Sequence, residues 1–178
     1  CRVQRPQRPD DLCVNESYRG HMYYIDERIS ATGAPDDRLI APFELRQKSR
    51  GRVTLASGAE AGLFLERGTV LRHNDCLRTR CGRVVQVEAA PEQVLTVRAD
   101  SPAAMLRAAY HLGNRHVLLE IGPDWLRLGF DPVLRDMLTG LGVRVIGEEA
   151  PFEPEAGAYY NAHAHHHGDR DHAHGHQD

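Results

Sequence analysis

Positive charge in excess is the first thing this sequence lacks. Its 178 residues carry 22 Lys and Arg against 25 Asp and Glu, a formal net charge of −3. No Lys/Arg cluster falls on a predicted helix, so the electrostatic footprint of a nucleic-acid binder is missing. Long apolar runs are missing too. None approaches the roughly twenty residues that a membrane span requires, and the N-terminus shows no apolar signal core. The expectation is a soluble, cytoplasmic protein with neither nucleic acid nor membrane as partner. Cysteine is scarce, and Cys1, Cys13, Cys76 and Cys81 follow no regular spacing, so reduced thiols are expected.

Enzyme signatures are absent as well. There is no HExxH, no GxSxG and no GxxxxGKS/T phosphate loop, so any energy-consuming step must belong to a partner. Asp124, Asp131 and Asp136 suit turns, caps and surface rather than acid–base work. Cys76 and Cys81, with His73 nearby, invite a zinc reading that their spacing opposes. Five extended steps put their Cα atoms up to roughly 16 Å apart, too far for two ligands of one tetrahedral ion. These thiols are assigned to packing or to the turn.

What is present divides the chain into four parts. Residues 1–21 are rich in Arg, Pro, Asp and Asn, and alternation begins only at Met22. Met22 therefore reads as the functional start, with 1–21 an extension that is disordered or foreign to the working chain; a lipid-modified Cys1 is the other reading. From 22 to 91 short apolar runs alternate with turns such as Ser57-Gly58, Arg67-Gly68 and Asn74-Asp75. Strands are expected at 23–29, 39–45, 52–55, 61–65, 76–78 and 84–88, forming a small all-β sandwich or barrel. From 92 to 157 the order becomes strand 94–99, helix 102–112, strands 116–121 and 125–128, helix 132–141 and strand 143–147. That βαββαβ sequence is the ferredoxin-like arrangement, and the fold class is α+β.

Both helices are well punctuated. Ser101 and Asp131 can cap them, Pro102 and Pro132 take the first helical positions, and Gly113 and Gly142 can supply the left-handed residue that ends each one. Leu134, Met137, Leu138 and Leu141 fall on one apolar face and read as core. Beyond them, Pro151 and Pro154 keep the backbone extended as it leaves the domain.

Residues 158–178 form the fourth part, which is read as a disordered tail. Seven of the 11 histidines stand there: His163, His165, His166, His167, His172, His174 and His176. Imidazole binds Ni²⁺, Cu²⁺ and Zn²⁺ readily at neutral pH, so a tract this dense points to metal. His111 and His116, on either side of Gly113, are weak candidates on their own, and His21 and His73 read as incidental.

The segments YHLGNRH (110–116), DPVLRDMLTGLG (131–142) and APFEPEAGAY (150–159) resemble the urease accessory protein UreE family. FELRQKSRGRVTLASG (43–58) and LERGTVLRHNDCL (65–77) are similar to its N-terminal half, so the likeness spans 22–159 and continues into the histidine tail. The resemblance implies a nickel metallochaperone rather than an enzyme, with a β domain likened to peptide-binding modules. It implies a homodimer through the ferredoxin-like domain, with the histidine of the GNRH motif, here His116, at the two-fold axis; His111 is matched too and is counted among the metal residues. The implied partners are the urease GTPase accessory protein and the apo-urease complex. Some members carry an HxH pair before the second helix, where this sequence has Phe130 and Pro132, so no auxiliary site is expected there.

The expected cargo is Ni²⁺, with Zn²⁺ or Cu²⁺ able to substitute in vitro because copper binds most nitrogen sites more tightly. Tail imidazoles, with a reach of about 20–25 Å, would complete the shell around paired His116 side chains. Two other classes stay open. A general metal store would share the tail but need no GTPase, and a metalloenzyme would need ligands fixed on rigid elements.

Overall fold

The computed structural model describes residues 22–30 and 33–156; the extension and the histidine tail lie outside the described residues. The first half is a sheet of six strands, β1 (Met22–Ile29), β2 (Asp37–Ala41), β3 (Arg50–Thr54), β4 (Glu60–Phe64), β5 (Cys76–Thr79) and β6 (Val84–Ala89), with a single-turn helix α1 (Phe43–Arg46). Spatial order is β2-β6-β5-β1-β4-β3. The β1–β4 and β2–β6 pairs are parallel and the other pairs antiparallel. One side of each strand is apolar, so Ile25, Leu39, Leu63, Leu77, Val85 and Val87 close into one core. The amide of Ala56, just past β3, donates to the Arg38 carbonyl of β2 at 2.8 Å. The two outer strands meet there, and the sheet curls toward a barrel.

One expected strand is divided. The run 39–45 reads as continuous extension, yet β2 stops at Ala41 and α1 follows. Pro42 is the reason: it has no amide for a ladder, and its carbonyl accepts from Leu45 and Arg46 amides at 3.1 Å each. The Glu92 carboxylate takes the Phe43 amide at 2.8 Å, satisfying a helix-start donor that a strand neighbour would otherwise have used.

The second half contains β7 (Pro91–Arg98), α2 (Pro102–Gly113), β8 (Glu120–Ile121), β9 (Leu126–Gly129), α3 (Pro132–Gly140) and β10 (Arg144–Pro151). Its antiparallel sheet runs β10-β7-β9-β8, the strand order of a ferredoxin-like βαββαβ fold. Leu95, Val97, Leu126 and Leu128 meet Ala108, Leu112 and Leu138 of the helices in a second core. Leu134 and Met137 pack against it partly buried, as the helical stripe requires. Ser101 and Asp131 cap as expected: Ser101 Oγ accepts the Ala104 amide at 3.3 Å, and Asp131 accepts those of Val133 and Leu134 at 2.8 and 3.0 Å.

Two expectations fail around His116. Gly113 is helical rather than left-handed, and the strand expected from His116 is reduced to Glu120–Ile121. Cysteine chemistry also differs from expectation in part. Cys76 is a buried free thiol, but Cys81 is disulfide-bonded, so the thiols are not all reduced.

The two halves are joined at a buried seam. Val94 of β7 packs with Phe43 and Phe152, whose rings meet edge to face at 5.8 Å. Beside them Arg46 is fully buried. Its guanidinium donates to the carbonyls of Ala41 (3.0 Å), Leu71 (3.2 Å) and Phe152 (2.6 Å), and it pairs with the Glu153 carboxylate. A buried charge is tolerated only when so fully partnered. The N-terminal half thereby grips the strand that leads to the histidine tail.

Candidate metal centre

His116 owes its position to the way α2 ends. The Val117 amide returns to the Leu112 carbonyl (3.3 Å) and the His116 amide to that of Gly113 (2.9 Å). This nested pair is the Schellman ending, which needs its penultimate residue in the left-handed region. His116 is that residue, at φ +54°. Val117 packs in the same core as Leu112, supplying the apolar contact that accompanies the motif. An L-residue there costs roughly 1–2 kcal/mol, and histidine tolerates it better than most. The side chain stands exposed at the tip of the turn.

His111 lies in the last turn of α2, half-buried, its ring edge-on to Tyr110 at 5.4 Å. The Arg115 guanidinium donates to its backbone carbonyl at 3.1 Å and leaves the imidazole alone. The turn thus presents His116 while α2 holds His111 within packing. Among the described residues, no group of three or more His, Cys, Asp or Glu side chains converges in a way that could hold an ion. His163, His165, His166, His167, His172, His174 and His176 lie outside the described residues.

The root of the tail comes close to His116. Glu155 donates its amide to the Leu119 carbonyl at 2.7 Å, and the Glu153 amide goes to the Glu120 carboxylate at 3.1 Å. Arg72 holds the same stretch from the other side, donating to the Pro154 carbonyl at 2.5 Å. Leu119 is three residues past His116, and His163 is eight past Glu155. Fully extended, these spans cover at most about 10 and 28 Å.

α2 turns apolar side chains to solvent on the way to this turn. Leu106 is 70% and Tyr110 64% exposed, and their spacing of four puts them on one helical face. His73 is committed elsewhere: its Nδ1 accepts the Ala89 amide at 3.2 Å, and its own amide donates to Glu153 at 3.3 Å. Phe130 and Pro132 stand where an HxH pair would be, Phe130 exposed and Pro132 opening α3. The Arg46–Glu153 seam is the feature the sequence reading missed, because nothing local distinguishes a buried arginine from a surface one.

Residues 25–90 match the family model described as UreE urease accessory protein, N-terminal domain, and residues 92–178 match the model of its C-terminal domain. The chain is 47% identical over 156 residues to the urease accessory protein UreE of Nitrosospira multiformis, covering 86% of this chain and 89% of the relative. It belongs to the urease accessory protein UreE family. Other similar members come from Cupriavidus necator (58% over 130 residues, 73% of this chain and 68% of the relative) and Alkalilimnicola ehrlichii (53% over 138 residues, 78% and 85%). Membership assigns a role in urease maturation, in an accessory rather than a catalytic family. The C-terminal match extends through residue 178, so the histidine tract lies inside it. Among the described residues no helix is long and apolar enough to cross a membrane.

Proposed function

We propose that this chain is a nickel metallochaperone that delivers Ni²⁺ to apo-urease, working in the cytoplasm with the urease GTPase and other accessory proteins. Residues 92–157 act as the metal-binding and dimerising domain, 22–91 as the docking domain and 158–178 as the collecting tail. The supporting observation is His116 itself: an exposed imidazole at a left-handed position where glycine would be less strained. Unfavourable backbone geometry at an exposed polar residue is a mark of function.

One imidazole is a poor site. Two-fold symmetry would bring a second His116 to the same ion, and the exposed Leu106–Tyr110 face of α2 offers apolar surface for that contact. Tail imidazoles rooted beside Leu119 then complete the shell. Ligands on a tether exchange readily, which suits a carrier that must release its cargo. Imidazole does not by itself select nickel over copper or zinc, so either ion can take its place in vitro and selectivity comes from supply and docking.

Calorimetric nickel titration, with mass measured in solution, tests this. The full chain should be a dimer with one tight ion per pair of subunits plus weaker tail sites. Deleting 158–178 should remove the weaker sites and leave the tight ion with reduced affinity. A monomer at every nickel load, or an unaltered tight site in His116→Ala, would overturn the reading. Acidification should displace the metal, because protons compete with it for neutral imidazole.

A further inference from the structure

Part of the outer face of the curled sheet in the N-terminal half stands exposed among the described residues. Registers place Tyr24 of β1 beside Gly62 of β4, Gly62 opposite Arg52 of β3, and Phe64 opposite Arg50. Directly opposed residues share a face, so these five side-chain positions lie together. The rings of Tyr24 and Phe64 stack at 5.3 Å and 25°. They can lie flat because Gly62 is beneath them: a Cβ there would come within 2.7 Å of the Phe64 ring. Phe64 remains 42% exposed, and the Arg80 guanidinium lies 5.3 Å from the centre of the Tyr24 ring.

Charge decides what this platform suits. The exposed arginines of the neighbouring strands have carboxylate partners, Arg28 with Asp75, Arg38 with Glu88 and Arg78 with Glu27, and Arg80 in the turn after β5 pairs with Asp26. Arg50 and Arg52 make no side-chain hydrogen bond or ion pair among the described residues. They sit two apart on one side of β3, the outermost strand of its sheet, about 6–7 Å from each other along the strand. Two unneutralised guanidiniums at that spacing match carboxylates at alternate positions of an extended segment, which an edge strand can also pair through its backbone.

We infer that the Arg50–Arg52 strand and the Tyr24–Phe64 platform form a docking surface for an acidic, extended segment of a partner protein. Carboxylates at alternating positions pair with the two arginines, and an apolar side chain rests on the exposed Phe64 ring. A polyphosphate backbone fits less well, since Asp26 and Glu60 share this face and the whole chain is acidic. The surface deepens the docking role given above to residues 22–91. It rests on that reading only for the partner's place in urease assembly, and not for the chemistry of the surface.

The test uses the full chain and three labelled probes followed by fluorescence anisotropy: a peptide with glutamate at alternate positions and leucine or valine between, its lysine counterpart, and a single-stranded oligonucleotide of equal charge. The acidic peptide should bind, and more weakly as salt rises. Arg50→Glu with Arg52→Glu should weaken it at least tenfold and Phe64→Ala several-fold, while Arg78→Gln, already neutralised by Glu27, should change it little. Amide shifts of 50–54 and 60–64 in the unaltered chain should move on peptide addition, a readout that survives if a variant fails to fold. Equal binding by the double variant, no shifts on β3 and β4, or tighter binding of the oligonucleotide would overturn the proposal. Nickel titration of the double variant should match the unaltered chain, so failure here and failure of the metal assignment are told apart.

Discussion

Helices α2 and α3 begin alike, with a capping oxygen at Ser101 or Asp131 followed by proline, and they end alike too. In α3 the Val143 amide returns to the Leu138 carbonyl and that of Gly142 to Thr139. In α2 Val117 returns to Leu112 and His116 to Gly113. The left-handed position is glycine in one, at φ +79°, and histidine in the other, at φ +54°. The α3 ending takes the residue that backbone energetics favour; the α2 ending takes one they disfavour. The same motif serves stability at Gly142 and presents an imidazole at His116. The difference shows where the chain gives up backbone stability to hold an imidazole at the surface.

Substitutions can break or sharpen that comparison. The largest effect should come from the seam that brings the tail root to the His116 end. Arg46→Met strips the Ala41, Leu71 and Phe152 carbonyls of their buried donor, while Glu153 keeps Arg72 at 3.7 Å, and should cost about 3 kcal/mol in denaturant unfolding. Glu153→Gln leaves the buried Arg46 charge without its counter-charge and should destabilise as well. Next comes His116→Ala, which should weaken the tight nickel site at least about a hundredfold, since even outer partners of a ligand cost 10–100-fold. Its melting temperature should barely move. If the affinity held, the left-handed histidine would have lost its explanation.

Smaller effects address the two endings directly. Gly142→Ala should destabilise by about 1 kcal/mol through conformation alone, because a Cβ there meets nothing within 4 Å. His116→Gly should do the reverse, stabilising by roughly 0.5–1 kcal/mol while abolishing the tight site. A stability gain with metal binding intact would make the two endings equivalent.

Far from both ends, Asp37 should show the smallest effect. Partial burial raises its pKa, but hydrogen bonds from the Ser57 hydroxyl and from the Arg38 and Ser57 amides outweigh burial and hold it below 3.8. A depressed carboxylate adds stability above its unfolded pKa, and that contribution fades as pH falls through the folded value. Asp37→Asn should therefore be slightly less stable than the unaltered chain at pH 7 and converge with it in acid.

Much of the second half was legible because its signals are local. Caps, prolines and an apolar stripe of period 3.6 lie within a few residues of what they specify, and the βαββαβ order followed from them. The first half was legible only as a series of strands. Alternation marked most of its strands, but Pro42 turned one expected strand into β2 and α1. Gly113 misled for a related reason. Either it or His116 could end α2, and only the packing of Val117 beside Leu112 selects the later residue.

Composition and spacing alone determined the α+β class, the histidine-rich tract at 158–178 and the histidine beside the end of α2, since these depend on residue type and near neighbours. The tertiary structure decided the rest. It put His116 into a left-handed turn, buried Arg46 against Glu153, fastened Glu155 to Leu119, and laid two aromatic rings beside two arginines that have no partner among the described residues. Each of these joins residues through long-range contacts, and the burial that makes such contacts worthwhile exists only once the whole chain has folded.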